Sequence, residues 1–210
     1  MDDAAFDSAL IAAAFQMAAG RGWARLSVAA AARDAGLPLA RARERFPTRA
    51  AVLLRFGRLA DQAALAEAPS DGPVRDKLFY LLMRRIDVLQ AHRAGILALL
   101  RDLPGQPTIA LLLAAANRRS MRWMLGAAGI STSGLGGDLR VKGLLAVWLW
   151  TIRAWRTDES TDLSATMSAL DSALQRAERL AGWFGWRSRP PPEAPAEVAV
   201  PEEPPPVAPA

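Results

Sequence analysis

Six side chains between positions 27 and 49 carry the most legible chemistry in this sequence: Ser27, Arg41, Arg43, Arg45, Thr48 and Arg49. Arginine presents its N–H donors in a planar fork that matches phosphate oxygens and the acceptor edge of guanine. Arg41 and Arg45 stand four residues apart and so share one face of a helix, while Arg43 leaves from another side. Ser27 and Thr48 fall where helices are expected to start. There a hydroxyl beside unsatisfied backbone N–H groups suits an anion. Residues 20–60 hold nine arginines against Asp34 and Glu44. A basic block of that density points to a polyanionic partner. The plainer alternative is an arginine-rich solvated surface.

Other chemistry is thin. The chain has no cysteine, which excludes a disulfide framework and any Cys-based zinc or iron–sulfur site, and fits a reducing compartment. Its single histidine, His92, leaves a metal cluster or a Ser/His triad without partners. Asp158 and Glu159 pair two carboxylates on a loop between helices, but nothing nearby completes a catalytic set. Residues 129–137 are rich in glycine and serine yet lack the Gly-Lys-Ser/Thr ending of a phosphate loop, so they read as a connector. No metal, cofactor or enzymatic activity is expected.

The elements that must position the arginines are all helical. The composition is 51% hydrophobic, dominated by alanine and leucine with few β-branched residues, which favours helix over strand. Apolar residues at Phe6, Leu10, Ala13, Ala14 and Met17 mark one face of a helix over residues 4–19, ended by Gly20 and Gly22. Ser27 caps a short helix over 28–34, and the 35–37 turn uses Gly36. Pro38 suits the first position of the next helix, over 38–45. Thr48 then caps a longer one over 49–66. After the break at 69–73 come helices over 74–91, 94–103, 108–128, 139–156 and 162–183. The expected organisation is a helix-turn-helix domain over 1–66, a larger helical body over 74–187, and a disordered tail over 188–210 rich in proline, alanine and glutamate. Apolar runs reach only about ten residues, where a membrane span needs about 20. Asp2, Asp3 and Asp7 stand where a signal peptide needs positive charge.

The order of helices, with Ala35-Gly36-Leu37-Pro38, then Arg43, then Phe46-Pro47-Thr48-Arg49, resembles the TetR family of bacterial transcriptional repressors over about residues 5–58. The family pattern reads Ala-Gly-Val-Ser, a tyrosine, then Phe-Pro-Ser-Lys, and the alignment needs no gap. Arg43 replaces the tyrosine, Pro38 the serine, and Ala31 a larger aliphatic residue that normally locks the two short helices. The resemblance implies that the 38–45 helix enters the major groove of a double-stranded DNA operator. Arg41, Arg43 and Arg45 would then contact bases or nearby phosphates, while Ser27, Thr48 and Arg49 grip the backbone. It also implies a cytoplasmic homodimer joined through residues 139–186, where Trp148, Trp150 and Trp155 lie in one helix, and release from DNA by a small apolar ligand. Leu82, Met83, Ile86, Leu97, Leu100, Leu112, Met121 and Met124 are candidate lining residues, although such residues at helical spacing also make ordinary core.

The alternative belongs to another class. The COQ9 family of ubiquinone-biosynthesis accessory proteins has a similar fold, binds lipid and does not bind DNA. Trp23, the altered recognition helix and the aromatic stretch at 182–187 beside Arg187 resemble it.

Overall fold

The computed structural model describes residues 1–183, with side chains through residue 180. It is all-α, and no strand occurs among the described residues. The helices are α1 (Asp3–Arg21), α2 (Val28–Asp34), α3 (Leu39–Arg45), α4 (Arg49–Ala66), α5 (Val74–Gln90), α6 (Arg93–Asp102), α7 (Pro107–Ala127), α8 (Gly134–Thr157) and α9 (Ser164–Trp183), with 3₁₀ turns at Trp23–Arg25 and Leu103–Gly105.

Local chemistry accounts for most boundaries. Asp2 caps α1, its carboxylate accepting from the Ala5 N–H at 2.7 Å. Ser27 and Thr48 cap α2 and α4 by accepting from the N–H groups of Ala30 and Ala51. α1 runs through Gly20 and ends where Gly22 takes φ +83°. Pro38 lies one residue earlier than the sequence implied. It is the cap of α3, with extended ψ of 121°, and has no side-chain donor or acceptor to offer.

One expectation fails at the start of α8. Residues 129–137 are glycine-rich, and each helical glycine costs about 1 kcal/mol against alanine, so a connector was the natural reading. Helix nevertheless begins at Gly134. Gly137 passes so close to Thr132 that a Cβ would lie 2.1 Å from the Thr132 carbonyl carbon. Only glycine permits that approach, and the fold uses it to seat the first turn of α8 on its own loop.

The core is one continuous cluster from Phe6 to Leu174, running across the 69–73 break. α1 packs on α6 and α2, α4 on α5 and α7, and α8 on α9. Gly95 in α6 makes the α1 contact possible: its missing Cβ would fall 2.3 Å from the Phe15 carbonyl oxygen. His92, at the start of α6, stacks on Phe15 of α1 and meets Phe56 of α4 edge-on. Leu82, Ile86, Met121 and Met124 are completely buried and form part of this core.

Candidate nucleic-acid interface

α3 is a two-turn helix and cannot hold its own position by propensity alone. Its inward side is Ala42, buried against α2, with Phe46 buried just beyond its end. A set of charged contacts to α1 does the rest. Arg45 grips Asp7 in two parallel hydrogen bonds, Nε to Oδ1 at 2.6 Å and Nη2 to Oδ2 at 2.8 Å. Its Nη1 also reaches Asp3 at 2.6 Å. Arg41 pairs with Asp3, donates to the Met1 carbonyl at 3.0 Å and lies 4.5 Å above the Phe6 ring. Arg55, from α4, completes the cluster with a 2.5 Å bond to Asp7. Asp7 is thus a buried carboxylate at the meeting point of α1, α3 and α4.

The electrostatics follow from these contacts. Burial alone would raise the Asp7 carboxyl, but Arg45 and Arg55 outweigh it and hold it below the ordinary carboxylate range. The Arg41 hydrogen bond leads in lowering Asp3. The pair with Asp7 pushes Arg45 further above its usual value.

Arg41 and Arg45 do share one face of α3, and that face is turned toward α1. The outward side of α3 presents Leu39, Ala40, Arg43 and Glu44. Arg43 is exposed and donates to the Pro47 carbonyl at 3.1 Å, which holds the guanidinium near the end of the helix. Ser27 and Thr48 are exposed at the starts of α2 and α4. Arg49 donates to the Ala24 carbonyl at 2.6 Å and ties the start of α4 to the turn before α2. Two capped helix starts and α3 therefore lie within one compact head.

Asp3, Asp7 and Arg55 join the site only through tertiary packing. Asp3 and Asp7 are four residues apart on α1, as Arg41 and Arg45 are on α3. That matched spacing was the available signal. Leu39, Ala40 and Glu44 carry no comparable signal, and only the packing of α3 leaves them exposed.

Solved structures share the helical fold. A TetR transcriptional regulator from Nitrosomonas europaea superposes with a TM-score of 0.67 at 21% identity, covering 82% of this chain and 98% of that one. A TetR-family regulator from Streptomyces coelicolor superposes with a TM-score of 0.60 at 19% identity, covering 89% of this chain and 87% of that one. The chain has the TetR fold. No protein-family model and no curated protein matches the sequence, so the likeness lives in the backbone.

Further along α4 lies a buried polar knot. Arg85 of α5 is ion-paired with Asp61 of α4 at 2.9 Å and lies 4.6 Å above the Trp148 ring of α8. It donates to Asn117 at 3.2 Å and to Ser120 at 3.3 Å, both on α7, while Ser120 donates to Asp61 at 2.6 Å. Four helices meet on this one guanidinium.

The tryptophans of α8 divide. Trp148 and Trp155 belong to the core, with Trp155 Nε1 donating to Gln90 at 2.8 Å. Trp150 and Leu149 are 49% and 58% exposed, and Leu180 of α9 is 61% exposed. Asp158 closes the α8–α9 loop by accepting from the N–H and hydroxyl of Thr166, both at 2.7 Å. Hydrogen bonds from Ser160 and Thr166 hold its carboxyl far below the ordinary range. Among the described residues no group of acids and histidine gathers as a metal site, and no single helix is long and apolar enough to cross a membrane. The aromatic stretch at 184–187 and the tail over 188–210 lie outside the described residues.

Proposed function

We propose that this chain is a DNA-binding transcriptional regulator of the TetR type that works as a homodimer. The observation that carries this reading is the α3 mounting. Arg45 and Arg41 lock the helix to α1 through Asp7 and Asp3, and Arg55 of α4 holds Asp7 from the other side, leaving an outward strip around Arg43. A recognition helix needs this rigidity, because base edges are read only when the side chains are held in register with the groove. In this reading Arg43 meets a base or the phosphate beside it, and Ser27, Thr48 and Arg49 take backbone phosphates. Arg41 and Arg45 act chiefly by positioning α3. Leu149 and Trp150 on α8 and Leu180 on α9 are exposed apolar residues that a second subunit would cover. A ligand-released repressor is the form of regulation the resemblance implies, with the α4–α5–α7–α8 knot as the joint through which body and head are coupled.

The test is binding of the purified protein to the DNA upstream of its own gene, against random DNA, over a salt series. Preference for the upstream DNA together with a steep fall with salt supports a dimer making several phosphate contacts. No binding even at low salt refutes the reading.

A second reading keeps one supporting observation. With Arg41 and Arg45 committed to α1, the outward strip of α3 holds one arginine, one glutamate and two apolar residues, which is sparse for a DNA reader. A lipid-binding accessory protein of ubiquinone biosynthesis needs no such strip. Liposome flotation separates the two: capture on vesicles without DNA binding favours the lipid reading.

A further inference from the structure

A groove of about 950 Å3 runs between α4 and the outer face of α7. Arg118, Arg119 and Arg122 recur along that face at spacings of one, three and four, so one helical surface carries three guanidiniums. Leu65 of α4, Gly126 of α7 and Thr132 also line it. Trp123 lines the groove and is 60% exposed. Asp138 is the only acid among the described residues paired with these arginines, accepting from Arg118 at 2.9 Å and Arg122 at 3.0 Å through the same oxygen. Arg119 has no ion pair among the described residues. A concave site with surplus positive charge and a bare indole calls for an occupant that is anionic and offers flat apolar faces.

The chain itself contains such a segment. Residues 190–206 hold eight prolines and four glutamates, Glu193, Glu197, Glu202 and Glu203, with no basic residue. Proline fixes φ near −65°, so a proline-rich segment docks into an aromatic groove at little entropic cost. Fifteen residues separate Trp183 from Val198, about 45 Å at 3.1 Å each. A folded body of this length has a radius of gyration of only about 16 Å. We propose that the acidic proline-rich segment 190–206 occupies the α7 groove of its own chain, with proline rings on Trp123 and glutamates on Arg118, Arg119 and Arg122. Two rival surfaces fit less well. The head exposes arginines but, among the described residues, no aromatic side chain. At Trp150 the ring face is already taken by Arg176, which lies over it at 5.6 Å.

The absence of cysteine makes the test clean. Val198→Cys in the full chain takes a single bimane label, whose emission is quenched on contact with tryptophan. The expected result is emission raised about twofold by Trp123→Phe, and likewise by Arg119→Glu and by molar salt, which screens the ion pairs. Trp150→Phe should leave emission unchanged. Emission indifferent to Trp123→Phe overturns the proposal, as does recovery with Trp150→Phe instead, which would place the segment on α8. Quenching that vanishes on dilution also overturns it, since the segment would then occupy a second copy.

Discussion

Arg45 and Asp7, thirty-eight positions apart, meet in a two-pronged ion pair at 2.6 and 2.8 Å, and the Asp7 side chain is only 1% exposed. This contact decides where α3 sits. Removing one member of a buried pair leaves the other charge without compensation, which typically costs about 3–5 kcal/mol. Without Arg45, Asp7 still has Arg55, whereas loss of Asp7 strips Arg55 of its ion pair and leaves Arg45 only Asp3. Asp7→Ala is therefore expected to lower stability by about 3 kcal/mol, measured by urea denaturation, and Arg45→Ala by less. Equal and negligible losses would show that the cluster is ornamental.

The same cluster sets a pH dependence. Asp7 and Asp3 have folded-state values below their unfolded ones, so their stabilisation is fully present above about pH 4. It is lost as pH falls through the lowered values. His92 adds an earlier step. Burial lowers its value, so the unfolded chain takes up a proton first and stability falls as pH drops below about 6.5. The thermal midpoint should decline in two stages on acidification. His92→Phe should remove the upper stage, and Asp7→Asn should blunt the lower one.

For DNA binding, the residues separate by partner. Arg43 is exposed and bonded only to a carbonyl, so Arg43→Ala should leave the melting temperature unchanged. It should weaken operator binding by about 1–3 kcal/mol. Arg49→Ala should weaken binding to all sequences alike and reduce the salt slope by about one. An electrophoretic mobility series on matched and random duplexes checks both.

The knot at Arg85 permits a double-mutant test. Burial lowers Arg85 and the nearby Asp61 raises it again, so the pair must be removed together or not at all. Asp61→Asn should cost about 3–5 kcal/mol. Asp61→Leu with Arg85→Met should recover most of that loss. If the double variant is as unstable as the single one, the hydrogen bonds to Asn117 and Ser120 matter more than the ion pair.

Gly95→Ala tests the α1–α6 contact. The added methyl would overlap the Phe15 carbonyl, so the two helices must separate, at about 1–3 kcal/mol. Gly57→Ala, whose Cβ meets nothing within 4 Å, is the control and should be neutral or slightly stabilising.

What the sequence determined by itself was local. The caps at Ser27 and Thr48, the glycine turn at Gly36 and the span of α4 all rest on interactions within three or four residues, so they can be read without the fold. The identity of the arginine-bearing helix was legible for the same reason. Its orientation was not. Whether Arg41 and Arg45 faced outward or inward depended on Asp3 and Asp7, which reach them only once α1 and α3 are packed together. The early start of α8 was decided the same way, because the close pass of Gly137 over Thr132 is a tertiary contact that offsets a weak helical propensity. Charge spacing named the candidates, and packing chose which of them remained exposed.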